Sequence, residues 1–147
     1  MTRDTSPSQH AASAAPGRPH DALIRVLTAL LAHGLAVALF YLAHLFGVPI
    51  YRHLFGSISR GIALGLGSYY LFILFILVNG VAALVPNLKL KLGLVLLPVL
   101  ASAWMFFPNN PIRGLVYCSL TSILPLLAIG LAQRLHRLFS PKEVTHG

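Results

Sequence analysis

Two histidines in the first apolar segment are the residues whose type and spacing could most readily do chemistry. His33 lies eight residues after Arg25, which places it about 12 Å into an apolar layer if the segment is helical. His44 follows eleven positions later, only about 20° further around the helix, so the two imidazoles share a face. Histidines inside a membrane are candidates for haem ligation, metal ligation or proton transfer.

The residues around the pair do not favour those three chemistries. A haem held within one chain usually needs a second histidine on a facing span, and His53 and His136 fall outside the apolar runs. Zinc needs three or four ligands, and proton-coupled transport normally places Asp or Glu in the membrane. We therefore predict no metal and no cofactor, and a neutral His33 that is hydrogen-bonded to a neighbouring helix.

Other polar residues and prolines fall at a depth similar to that of His33. Asn79, Pro98 and Pro125 each lie about 10–14 Å from the same end of the predicted spans. Each proline frees a backbone carbonyl one turn earlier, at Leu94 and Thr121, which a nearby hydroxyl can satisfy. The predicted intramembrane polar layer consists of His33, Asn79, Ser102 and Thr121. We interpret it as a structural network, and the alternative is a substrate site between proline-interrupted helices.

Composition assigns the chain to the membrane. Of its 147 residues 56% are hydrophobic and 10% are charged, against about 25% charged in a soluble domain. The only acids, Asp4, Asp21 and Glu143, lie near the two ends. The net charge of +8 does not indicate nucleic acid, because no basic cluster is interleaved with aromatic residues. Cys118 is the only cysteine, so no disulfide framework is expected.

The apolar runs predict an all-α membrane protein with four transmembrane helices. The predicted spans are 22–46, 62–85, 88–107 and 114–133, and the bundle as a whole covers 22–134. The segment 1–21 is rich in Ser, Ala, Pro and His and is predicted to be a disordered tail, and 135–147 is predicted to be the second tail.

The stretch LKLKL (88–92) alternates apolar and basic residues like a half-exposed strand. A lone strand in a membrane would leave its backbone unpaired, so we predict a helix start after a tight turn. On that helix Lys89 and Lys91 project about 200° apart, and each can extend its ammonium to the headgroups.

The stretch PIYRHLFGSISRGI (49–62) separates completely into an apolar and a polar side at about 100° per residue. This pattern predicts an interfacial amphipathic helix between the first and second spans, with a change of direction at Gly47-Val48-Pro49. The alternative is a helical extension of the second span.

Four spans place both tails on one side, together with eight Lys and Arg residues, against three on the other side. The positive-inside rule then predicts that both termini are cytoplasmic, in a bacterial inner membrane. The opposite face is predicted to be periplasmic.

The chain offers too few positioned titratable groups for acid–base catalysis, so we predict that it is not an enzyme. In size, four-span layout and cysteine-poor composition it resembles membrane immunity proteins, including the colicin-type ones, that protect the bacterial inner membrane from pore-forming toxins. That resemblance implies a toxin as partner.

Three alternatives remain: an accessory or assembly subunit of a larger membrane complex, a small transporter protomer, and a holin-like pore. A homodimer is an alternative assembly, and the lipid bilayer itself is a partner in every case. The predicted partner-binding residues lie on the outer face: Tyr51, Arg52, Leu54, Phe55, Arg60, Trp104, Asn109, Asn110 and Arg113.

Overall fold

The computed structural model describes residues 19–56 and 61–139, and those residues form four α-helices. The helices are α1 (Pro19–Phe55), α2 (Gly61–Leu84), α3 (Leu88–Phe106) and α4 (Pro111–Phe139). All four are long and apolar enough to cross a membrane, which confirms the predicted class of all-α membrane protein. Most of the predicted N-terminal tail, and the last eight residues of the second tail, lie outside the described residues.

The helices form a ring in which each packs against its two neighbours in sequence, and α4 closes the ring on α1. Successive helices run in opposite directions, because the connections between them are short. One end of the bundle, called the basic end here, carries Arg25, Lys91 and Arg137. The other, called the aromatic end, carries Tyr51, Trp104 and Arg113.

Buried residues recur at intervals of three and four along each helix, which is the spacing of antiparallel bundle packing. The core has two halves of different residue size. Alanines fill the half near the basic end: Ala29, Ala32, Ala36, Ala83, Ala128 and Ala132. Larger side chains fill the half near the aromatic end: Phe40, Leu71, Phe75, Phe106 and Tyr117. The aromatic rings stack closely, with Phe40 and Phe75 centroids 4.5 Å apart.

The LKLKL stretch is the beginning of α3, as predicted. Asn87 precedes the helix in an extended conformation, and its side chain accepts a 2.9 Å hydrogen bond from the backbone N–H of Lys89. This is an N-cap, which satisfies one of the amide groups that a helix start leaves unpaired. Only residues 85–87 separate α2 from α3, so the predicted tight turn is also present.

The predicted break at Gly47-Val48-Pro49 does not occur, because residues 49–55 belong to α1. α1 continues through Pro49 to Phe55 and ends at Gly56, whose φ of 76° is left-handed. Pro49 removes a single backbone hydrogen bond, and the contacts of Tyr51 with the start of α4 support the helix beyond it. Residues 57–60 of the predicted interfacial helix lie outside the described residues, and the position of the remainder relative to a membrane stays a prediction.

The fourth helix begins at Pro111, three residues before the predicted start, and continues to Phe139. Asn110 accepts a 3.1 Å hydrogen bond from the backbone N–H of Arg113, and proline occupies the first helical position. Asparagine followed by proline is a characteristic helix start, because the missing proline N–H would have had no partner there.

Candidate functional site

His33 is hydrogen-bonded to Asn79 across the α1–α2 interface, with 2.8 Å between Nδ1 and Oδ1. The amide Nδ2 of Asn79 donates to the carbonyl of Phe75 at 2.9 Å, which turns Oδ1 toward the histidine. Because Oδ1 only accepts, Nδ1 of His33 carries the donated proton. His33 is 2% exposed, and its Nε2 is buried without a hydrogen-bond partner among the described residues.

His44 bonds Tyr117 on α4, and Tyr117 in turn contacts a serine on α2. Its Nδ1 lies 2.6 Å from the hydroxyl of Tyr117 on α4, and that hydroxyl lies 3.3 Å from Oγ of Ser68 on α2. The two histidines share a helix face, but His33 bonds α2 and His44 bonds α4. They therefore do not converge on one ligand, and no group of three or more His, Cys, Asp or Glu residues forms a metal site within 19–56 and 61–139.

Ser102 and Thr121 meet at the α3–α4 interface, with 3.4 Å between their hydroxyl oxygens. Each hydroxyl also lies much closer to a carbonyl of its own helix, at 2.6 Å from Pro98 for Ser102 and 2.7 Å from Tyr117 for Thr121. Each hydroxyl has a single hydrogen, which it donates to the nearby carbonyl of its own helix. The 3.4 Å contact between the two hydroxyl oxygens is therefore weak. We predicted that nearby hydroxyls would bond the carbonyls of Leu94 and Thr121. The hydroxyls of Ser102 and Thr121 bond the carbonyls of Pro98 and Tyr117 instead.

The predicted polar layer is two pairs on opposite sides of the bundle. Measured from Arg25 and Lys91, which both lie at the basic end, His33 is about 12 Å and Ser102 about 17 Å along its helix, so the two pairs differ in depth by only about 5 Å. All four residues are buried, and each pair joins two helices. This arrangement favours the structural interpretation, because the side-chain polar groups bind one another or the backbone.

Tyr117 is the polar core residue that the sequence analysis missed. A tyrosine in the middle of an apolar segment is a detectable signal, because a buried phenol needs a hydrogen-bond partner. We expect Tyr117→Phe to lower the free energy of unfolding by about 1 kcal/mol, since His44 and Ser68 both lose this partner. Thermal unfolding in detergent, followed by circular dichroism, measures it. The control is Tyr70→Phe on the exposed face of α2, and equal effects of the two changes would contradict this role.

At the aromatic end, Tyr51 is held by two residues from the start of α4. Asn110 Nδ2 donates to the Tyr51 hydroxyl at 2.7 Å, and the Arg113 guanidinium lies 4.5 Å from the centre of the Tyr51 ring. The second distance is that of a cation–π contact. Asn110 caps α4 with its Oδ1 and donates to Tyr51 of α1 with its Nδ2. The residue that starts α4 therefore also fixes the position of the Tyr51 side chain.

A half-open cavity of about 260 Å³ adjoins Tyr51 and Arg113. Apolar side chains of α1 and α4 line most of it, among them Ile50, Leu54 and Ile112. His44 and Tyr117 also line it, so their part-buried hydrogen bond adjoins the surface cluster. Ile112 is a lining residue that the sequence analysis did not select.

The structure groups some of the predicted partner-binding residues and separates others. Tyr51, Asn110 and Arg113 form one cluster, with Leu54 beside it. Arg52, Asn109 and Trp104 are exposed, and Trp104 on α3 has 85% of its surface accessible. The Phe55 side chain and Arg60 lie outside the described residues.

The helices and their apolar surfaces define a multi-pass membrane protein. Comparison with known proteins finds no matching family model, no matching curated protein and no matching solved structure.

Proposed function

We propose that this chain is a non-catalytic membrane protein that acts by binding another membrane-associated protein at its aromatic end. Its most specific form is an immunity protein of a bacterial inner membrane that neutralises a pore-forming or membrane-targeting toxin. The observation that carries the proposal is the cluster of Tyr51, Asn110 and Arg113 beside an apolar cavity.

Residue type and rigidity both support a binding role for this cluster. Tyrosine, tryptophan and arginine are the residues that dominate binding energy at protein interfaces. Tyr51 is fixed at its ring and at its hydroxyl, so its side chain loses little freedom when a partner covers it. Exposed Leu54 and Ile112 supply apolar surface around it.

The polar residues of the interior support the same proposal, because their bonds favour a structural role over a catalytic or transport one. His33 bonds Asn79 and His44 bonds Tyr117 between helices, so each of these side chains already has a partner; only Nε2 of His33 has none among the described residues. Chemistry or transport would require such groups to face a substrate. Their present bonds instead stabilise the bundle that presents the aromatic end.

A second candidate is an accessory or assembly subunit of a larger membrane complex. The exposed face of α3 favours it, because this helix has the smallest buried share of the four and carries exposed Trp104. A partner helix could pack along that face. The two candidates differ in the partner that each predicts, a toxin or a resident complex.

Affinity purification in mild detergent from the native host, followed by mass spectrometry, tests this function. We expect Arg113→Ala to reduce the recovered partner at least about ten-fold, because it removes the cation from the Tyr51 ring. Lys89→Ala at the basic end is the matched loss of a cation and should leave recovery unchanged. A partner that Arg113→Ala and Lys89→Ala retain equally would contradict binding at the aromatic end.

The same contacts fasten α1 to α4, so stability must be separated from binding. Tyr51→Phe keeps the ring under Arg113 and removes the hydroxyl that Asn110 binds. Each variant is therefore compared by thermal unfolding in the same detergent. Partner loss that follows the melting temperature across all variants would assign the cluster a structural role only.

A further inference from the structure

The basic end contains a cavity of about 400 Å³ to which all four helices contribute. Its volume is within the range of about 300–1,000 Å³ that small-molecule sites occupy. The floor contains the small side chains Ala29, Ala83 and Ala132, which belong to the alanine half of the core. The cavity exists because these alanines leave space where larger residues would fill it.

Cationic side chains from three helices surround the opening. Arg25 comes from α1, Lys91 from α3 and Arg137 from α4, and His136 lies beside Arg137. Asp21 is the only acidic residue in the described part of the chain, and it does not line this cavity. Like charges gathered around one cavity repel, so an anion in it would be favoured.

The helix dipoles do not alter this conclusion. α1 and α3 begin at this end, whereas α2 and α4 finish there, so two positive and two negative helix termini meet. Their contributions largely cancel. The positive potential of the cavity therefore comes from the side chains.

The position of the cavity identifies the chemical class of anion. Exposed Leu84 ends α2 and exposed Leu88 begins α3, and both line the cavity, so it lies at the level where two apolar helices end. Phosphate groups of lipids lie at this level of a membrane. Basic pockets between membrane helices suit anionic headgroups, and arginine pairs with phosphate oxygens through parallel hydrogen bonds.

We propose that this cavity binds a phosphate-bearing anion, through Arg25, Lys91 and Arg137. The site is distinct from the aromatic end and does not depend on the proposed partner function. Two sources share the chemistry, the headgroup of an anionic phospholipid and free phosphate.

Native mass spectrometry of the full-length protein in mild detergent tests the site. The protein is mixed with equal amounts of phosphatidylglycerol and phosphatidylcholine, and the bound lipids are counted. We expect phosphatidylglycerol to be preferred, and Lys91→Gln and Arg137→Gln each to reduce that preference about five-fold.

The controls remove cations that lie outside the cavity on the same helices. Lys89→Gln is two residues from Lys91, and Arg134→Gln is one turn from Arg137. Equal losses in the controls would show a diffuse surface charge and overturn the proposal. An absence of preference for phosphatidylglycerol in the unchanged protein, together with no binding of inorganic phosphate, would also overturn the proposal.

A second arm distinguishes the two sources. Inorganic phosphate is added at millimolar concentration to the lipid-bound protein. Retention of phosphatidylglycerol supports the lipid headgroup, and displacement that requires Lys91 and Arg137 supports free phosphate in the same cavity.

Discussion

Phe40→Ala is expected to lower the free energy of unfolding by about 3–5 kcal/mol, the largest effect of any single change considered for this chain. Phe40 is 1% exposed and contacts aromatic rings of two other helices. Its centroid lies 4.5 Å from that of Phe75 on α2 and 6.1 Å from that of Tyr117 on α4. Removing the ring leaves a cavity that the stacked neighbours cannot collapse to fill.

The matched control is Phe46→Ala, six residues further along α1. Phe46 is 63% exposed, so its removal should change the free energy of unfolding by less than about 1 kcal/mol. Unfolding in mixed micelles, titrated with a denaturing detergent, measures both variants. Similar losses for Phe40→Ala and Phe46→Ala would mean that the aromatic half of the core is not packed as described.

Asn79→Leu is expected to destabilise the bundle by about 2 kcal/mol. The change deprives His33 of its hydrogen-bond partner and leaves both ring nitrogens buried and unpaired. An unpaired polar group in a buried site costs more free energy than the hydrogen bond itself contributes. The same unfolding titration measures this loss.

The double variant His33→Leu with Asn79→Leu separates the free energy of the lost hydrogen bond from the cost of leaving His33 buried and unpaired. It removes both partners, so we expect it to be more stable than Asn79→Leu alone. A double variant that is less stable than either single variant would indicate that His33 and Asn79 act independently. His33 would then stabilise the bundle without Asn79, which would require a partner for its Nε2 beyond the described residues.

The number of helices and the bounds of α2 and α3 could be predicted, because a membrane span is recognised from the length of one apolar segment. The LKLKL stretch predicts a helix start because a strand in lipid leaves its backbone unpaired, and α3 begins there. The bounds of α2 and α3 agree with their predicted spans to within one residue. Apolar length and capping chemistry are local properties, and both are visible in the sequence.

The end of α1 could not be predicted because it depends on distant residues. Pro49 indicated a break when only its neighbours were considered. In the structure Tyr51, two residues later, is bound by Asn110 and Arg113 of a helix that begins more than fifty residues away. Tertiary contacts of this kind outweigh the local preference of one proline.

The polar core was predicted in part for the same reason. The depth of His33 and Asn79 predicted a bond between helices, and the structure has that bond. The pairing of His44 with Tyr117 depends on which face of α1 meets α4, and the sequence does not encode that in any short spacing. The need of a buried histidine for a partner is therefore predictable, whereas the choice of neighbouring helix is not.

Site-specific photocrosslinking in native membranes most directly tests whether the aromatic end binds a protein partner. A photoreactive phenylalanine analogue replaces Ile112 at the aromatic end or, as control, Leu88 at the basic end; both are exposed. Binding at the aromatic end predicts an adduct with one membrane-associated protein from position 112, absent from position 88 and lost with Arg113→Ala. An adduct with that protein only from position 88, or from 112 regardless of Arg113, would show that the aromatic end is not the binding surface.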